Sequence, residues 1–163
     1  MSEPVVRDAS AADRATIHDV TLAAYEEYAA RMPLPLWRAY RQNILETLAQ
    51  PAPALQLVAE DAGAVVGTVL LYPAGRERPW PEVRLLAVAP AARGRGIGAM
   101  LMRECIRRAR ASRAKVLSLH TTDLMRVARA MYERMGFVRA PEIDFEPAPG
   151  VVIKGFRLDL GER

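Results

Sequence analysis

A single cysteine, Cys105, stands among 163 residues, so no internal disulfide can close. With only two histidines beside it, the chain also falls short of a typical structural zinc site. A metal-free fold in a reducing, cytoplasmic setting is therefore expected. Aromatic residues make up 6% of the chain, too few for the stacked platforms that single-stranded nucleic acids occupy. Long apolar runs are missing as well. The longest uncharged stretch, Ala62 to Gly75, is shorter than the roughly 18 apolar residues that span a bilayer. The opening Met1-Ser2-Glu3-Pro4 has no basic region leading into an apolar one, so neither a secretory leader nor a membrane partner is expected.

What the chain does have is apolar bulk, 51% of its residues, at a length that suits one core rather than two. A single domain over 1–163 is the expectation. Its net charge of +4 is unevenly placed. Eight basic residues and one acid, Glu104, lie between Arg93 and Lys115, a local net of +7, so the rest of the chain is net −3. A nucleic-acid binder more often spreads its positive surface over several elements. Charge gathered directly after a glycine-rich turn suits a small polyphosphate better than a long polyanion, and no nucleic-acid partner is expected.

Periodicity and punctuation give the element order. A short strand at Val5-Val6-Arg7 precedes a helix from about Ala11 to Ala30, with Asp8 and Ser10 as caps and Ile17, Val20, Leu22 and Ala24 as its apolar side. Met32-Pro33-Leu34-Pro35 reads as a turn, and a second helix runs from Leu36 to Gln50 before Pro51 and Pro53. Strands follow at 55–60 and 64–72 around the hairpin signal Asp61-Ala62-Gly63, then at 82–88. A helix from about Gly96 to Arg113 leads to a short strand at 116–119. That order is a βαβ unit joining parallel strands. A further helix at 124–135 closes on Gly136, and last strands at 137–139 and 151–160 flank a proline-rich connection.

The strongest chemical signal is Arg93-Gly94-Arg95-Gly96-Ile97-Gly98, placed where a strand turns into a helix. Glycines let backbone approach a ligand closely, and the first N–H groups of a helix have no intrahelical acceptor. Such a terminus binds phosphate, helped by the helix dipole and by nearby arginines. A tight turn whose glycines serve only backbone geometry is the alternative. The Gly-Lys-Ser/Thr ending of a P-loop is absent, and a dinucleotide fold would place its glycines after the first strand.

These residues resemble the GNAT superfamily of N-acetyltransferases. Its Arg/Gln-x-x-Gly-x-Gly motif is matched at Arg93, Gly96 and Gly98, preceded by Leu85-Leu86-Ala87-Val88-Ala89-Pro90, which looks like the family's fourth strand. About 35 residues on, Ala128-Arg129-Ala130-Met131-Tyr132-Glu133-Arg134-Met135-Gly136-Phe137 resembles its Ala-x-x-x-Tyr-x-x-x-Gly-Phe segment. The resemblance weakens over residues 1–55. It implies an α+β GNAT-like domain, with a central, mostly antiparallel sheet, one parallel βαβ unit at the cofactor site and helices on both faces. It also implies acetyl-CoA as co-substrate and a small-molecule or peptide amine as acceptor. Carried over by position, the strand Leu86, Ala87 and Val88 would pair with the pantetheine arm, and the backbone of Arg93, Gly94, Arg95, Gly96, Ile97, Gly98 and Ala99 would hold the pyrophosphate. Met125 stands where many members carry Asn.

Acetyl transfer needs a neutral amine, a polarised thioester and a proton for the departing thiolate. Glu82, at the start of that fourth strand, is the candidate general base, or else a solvated carboxylate. Tyr132 is the candidate general acid, or else a packed core tyrosine. Cys105, mid-helix and far from any base, reads as a buried apolar residue. His120 ends a strand and could line the site or be structural, and His18 has no evident partner. Trp37, Tyr40, Tyr25 and Tyr28 on the opening helices either wall the acceptor pocket or pack the core. A non-catalytic acyl-CoA sensor or interaction module on the same fold is the alternative function, and the late strands could pair with a second copy as a homodimer.

Overall fold

The computed structural model describes residues 3–50 and 52–161. Their contacts sort into two compact units. The first runs to Leu71 and resumes over Leu85–Glu104. The second holds Tyr72–Arg84 and resumes at Cys105.

In the first unit, β1 (Val5–Asp8), β2 (Leu55–Asp61) and β3 (Ala64–Tyr72) form an antiparallel ladder, with Val5 opposite Glu60 and Leu57 opposite Val69. Ala62 and Gly63, both at positive φ (50° and 80°), make the two-residue turn between β2 and β3. That is the twist-matched hairpin turn the sequence signals there. Leu57, Val58, Val69 and Leu70 are completely buried.

The expected helix over residues 11–30 is α1 (Arg14–Tyr25) with a 3₁₀ turn at each end, Ala11–Asp13 and Glu26–Arg31. No residue of the second turn is buried, so no apolar face sustains the α-helix there. Asp13 anchors the start. It accepts the Ser10 N–H at 2.7 Å and both terminal nitrogens of Arg7, which hold its carboxyl well below the usual carboxylate range. Helix α2 (Leu34–Ala49) begins inside the stretch expected to be a turn, because Pro35 falls in its first turn, where a missing N–H costs nothing.

Strand β4 (Glu82–Val88) begins in the second unit and ends in the first. At Leu85 its backbone takes φ 50°, which breaks the regular extended run. Helix α3 (Ile97–Ala111) follows a 3₁₀ turn at Pro90–Ala92, and Ile97, Leu101, Met102, Cys105 and Ala109 are buried along it. Gly67 of β3 permits a close approach. A Cβ there would lie 2.9 Å from Ile97 Cγ2 and 3.0 Å from Leu101 Cδ1.

In the second unit, β4 pairs in parallel with β5 (Val116–Thr121), Glu82 opposite Ser118 and Val83 opposite Leu119, which makes β4-α3-β5 the expected βαβ unit. β8 (Val151–Asp159) runs antiparallel to β5 and also pairs with β6 (Val138–Arg139) and β7 (Phe145–Ala148). The stretch read as a bare connection holds a 3₁₀ turn, Pro141–Ile143, and β7, a strand that tolerates Pro147 because it lies off the main strand path. Helix α4 (Arg126–Arg134) ends in a Schellman motif. The Phe137 N–H donates to Tyr132 O and the Gly136 N–H to Glu133 O, both at 3.0 Å, with Gly136 at φ 102°. The sheet is thus mostly antiparallel with one parallel pair, and four α-helices accompany it among the described residues, as expected of an α+β fold.

Candidate functional site

The glycine-rich segment lies between the 3₁₀ turn at Pro90–Ala92 and α3. Gly94 and Gly96 adopt φ 80° and 76°, the left-handed region that glycine enters without steric cost. No atom comes within 4 Å of the position a Cβ would take at either residue, so the backbone there faces open space. The first intrahelical bond joins the Met100 N–H to Gly96 O at 3.0 Å. The N–H groups of Ile97, Gly98 and Ala99 therefore precede the helical ladder, as an anion cradle requires. Arg93 and Arg95 already have partners. Arg93 pairs with Glu27 (Nη1–Oε1 2.7 Å) and Arg95 with Asp61, so any anion bound by their side chains must compete with these carboxylates.

In β4 the Leu86 carbonyl accepts a hydrogen bond from Tyr25 Oη at 3.1 Å. Tyr25 belongs to an aromatic group in which Trp37 stacks on Tyr40 at 6.3 Å and Tyr28 and Tyr40 lie about 6 Å from the Tyr25 ring. These four residues pack on one another, and burial pushes the Tyr40 hydroxyl pKa up. None of them lines the cavity described next.

That cavity, about 300 Å³, lies in the second unit and is lined by Glu82, Arg84, Ser118 and His120, with Trp80 and Phe145 as aromatic members and Arg78 beside them. Glu82 and Arg84 share a face of β4, and Ser118 and His120 a face of β5, because side chains two apart on a strand point the same way. Glu82 is buried, and both of its oxygens are engaged. Its Oε2 lies 3.1 Å from His120 Nδ1, and its Oε1 pairs with Arg84 Nε and stands 3.8 Å from Arg78 Nε. Burial alone would raise the Glu82 pKa. The hydrogen bond from His120 and the charge of Arg84 outweigh it and hold the carboxyl below its ordinary value. For His120, burial would lower the pKa, while the bonds to Glu82 and to the Ile143 carbonyl (Nε2–O 2.8 Å) leave it raised. His120 lies within β5 and not at its end, since the strand extends to Thr121.

Tyr132 is buried in α4 and tilted against Phe137 at 5.8 Å between ring centroids. Its carbonyl and ring both serve the helix terminus, a structural reason for a Tyr-x-x-x-Gly-Phe spacing. Cys105 is buried, as expected. Among the described residues no cluster of three or more His, Cys, Asp or Glu side chains is placed to hold a metal ion, and no helix is long and apolar enough to cross a membrane. Sequence reasoning did not single out Arg78, Trp80, Arg84, Ser118 or Phe145. The period-2 alternation around Glu82 and His120 was the signal that could have found Arg84 and Ser118.

A family model for the acetyltransferase (GNAT) family matches residues 16–137, spanning both the glycine-rich loop and Tyr132. Comparison with curated proteins gives no match. Among solved structures, the fold is similar to an acetyltransferase of the GNAT family from Staphylococcus aureus Mu50, at 16% identity and TM-score 0.75, covering 98% of this chain and 100% of that one. It is similar to the PaiA N-acetyltransferase of Thermoplasma acidophilum in complex with coenzyme A (15% identity, TM-score 0.76, 97% and 99% covered). A GNAT family acetyltransferase from Brucella melitensis in complex with acetyl-CoA is also similar (25% identity, TM-score 0.67, 99% and 91% covered).

Proposed function

The chain belongs to the acetyltransferase (GNAT) family, and from that premise we propose that it transfers the acetyl group of acetyl-CoA directly to the primary amine of a small molecule or peptide. The observation that carries this reading is the loop at Gly94 and Gly96, whose left-handed backbone opens onto free space directly before the first turn of α3, whose leading N–H groups precede the helical ladder. In this reading the backbone from Arg93 to Ala99 holds the pyrophosphate, and the strand Leu86–Val88 aligns the pantetheine arm by main-chain hydrogen bonds. Backbone groups carry the load there, since Arg93 and Arg95 are committed to Glu27 and Asp61. No metal has a part in it.

Bound acetyl-CoA supplies an activated acyl carbon. The acceptor nitrogen forms a bond to that carbon, the carbon–sulfur bond breaks, the amine loses a proton and the thiolate gains one. Tyr132 donates the proton, or a hydrogen bond, to the departing sulfur. Glu82 receives the amine proton directly or through water, and its lowered pKa keeps it ionised across the neutral range.

The test combines calorimetry of acetyl-CoA binding with CoA release in the presence of a panel of primary amines. Binding with amine-dependent CoA release supports the reading. Binding without release from any amine would make the chain an acyl-CoA sensor, and absence of binding would overturn both.

A further inference from the structure

Three cationic groups converge on one buried carboxylate in the cavity of the second unit. Arg84, Arg78 and His120 all face Glu82, and the remaining acid of the lining, Glu77, is exposed. With His120 protonated, the cations of the lining, Arg78, Arg84 and His120, exceed its acids, Glu77 and Glu82, by one charge. Both guanidiniums are also held in place. Their Cζ atoms lie over the Tyr72 ring, at 4.4 Å for Arg78 and 5.2 Å for Arg84, a cation–π arrangement that limits their freedom. Glu82 makes its closest approach to each arginine through Nε, the side of the guanidinium away from its terminal fork. A guanidinium's planar fork matches a carboxylate in a bidentate way.

We propose that the acetyl acceptor is an amino acid-class molecule whose carboxylate binds the Nη groups of Arg78 and Arg84, with its apolar part against Trp80 and Phe145. This rests on the acetyltransferase reading above, because it assigns the cavity to the acceptor. The volume, about 300 Å³, suits one small zwitterion and not a folded protein surface. Polyamines and lysine-rich peptides are disfavoured, since like charges brought together oppose binding. The same positive surroundings favour the neutral form of the acceptor amine, which is the nucleophilic one.

The experiment has a turnover arm and a binding arm. In the first, CoA release is followed with acetyl-CoA and the α-amino acids, their carboxamides, and spermidine. Free acids should exceed their carboxamides in kcat/KM by about 10- to 100-fold, the worth of a charge-assisted pair. That preference should collapse, chiefly through KM, in Arg78→Gln and Arg84→Gln, and return in part in Arg78→Lys. Equal or better turnover of carboxamides or spermidine would overturn the proposal while leaving acetyl transfer intact. In the second arm, calorimetry compares N-acetyl-L-phenylalanine with its amide on the parent protein and on both glutamine variants, each checked by melting. Arginine-dependent binding of the acid without CoA release from any amine would uphold the carboxylate site and sink the transferase reading. No preference for the acid in either arm would overturn the carboxylate site.

Discussion

Glu82 and His120 satisfy each other in a way that fixes the charge of both. The carboxylate accepts a hydrogen bond from His120 Nδ1–H, and the other ring nitrogen meets the Ile143 carbonyl, which can only accept. Both imidazole nitrogens must therefore donate, and the imidazolium is the form that fits.

Stability should follow this pair with pH. His120, raised in the folded state, contributes stability that is complete below about pH 6.5, its unfolded value, and is lost as pH rises through the higher folded one. Glu82, lowered, contributes above about pH 4.3 and loses that contribution as pH falls through its lower folded value. His120→Gln should cost roughly 2–4 °C of melting temperature near pH 6, where the pair is complete, and markedly less near pH 9. An equal loss at both values would show that packing alone, not charge, is removed.

Glu82→Gln should lower kcat/KM most below neutral pH. A free alkylamine has a pKa of about 10.4, so the acceptor most needs a proton partner there. The same substitution should move the His120 titration, read by NMR, down toward its ordinary value. Superimposable pH–rate profiles with a shifted His120 would leave Glu82 as an anchor for His120 and not a base.

Gly96→Val should abolish acetyl-CoA binding in a folded protein. The side chain would fill the open space at φ 76° and force a backbone conformation that a β-branched residue resists. Unchanged affinity by calorimetry in a cooperatively melting variant would remove the loop from the cofactor site.

Tyr132→Phe should cut kcat by roughly ten- to a thousand-fold with cofactor affinity nearly intact. Phenylalanine keeps the contact with Phe137 and the Schellman terminus, and loses only the hydroxyl. A destabilised variant with full activity would make Tyr132 a structural residue.

Gly155→Ala should destabilise the protein by about 1–3 kcal/mol in denaturant unfolding. A Cβ there would stand 2.1 Å from Ile143 Cγ1 and 2.8 Å from the Ala140 carbonyl, so backbone has to move. The displaced segment carries the Ile143 carbonyl that holds His120, and the His120 titration should shift with it.

Much of the architecture was legible because its determinants are local. Asp61-Ala62-Gly63 encodes a two-residue hairpin, Gly136 encodes a helix stop, and glycines before an apolar helix encode an anion-binding terminus, each within a few bonds of backbone geometry. Where local rules gave the wrong boundary, the tertiary surroundings decided. Residues 26–31 keep a helical sequence yet tighten into a 3₁₀ turn for want of an apolar face, and β7 forms in a proline-rich stretch because β8 offers it a ladder.

By itself, the sequence determined the order of strands and helices, the cofactor-type loop and the spacing that joins Tyr132 to Phe137. Only the tertiary structure decided that Glu82 is tied to His120, 38 positions away, and that Arg78 and Arg84 crowd the same carboxylate. The parallel pairing of β4 with β5 brings these groups together, and it is made across an entire helix. A side chain's charge and hydrogen-bond state depend on what lies within a few ångströms in space, and sequence separation carries no record of that distance.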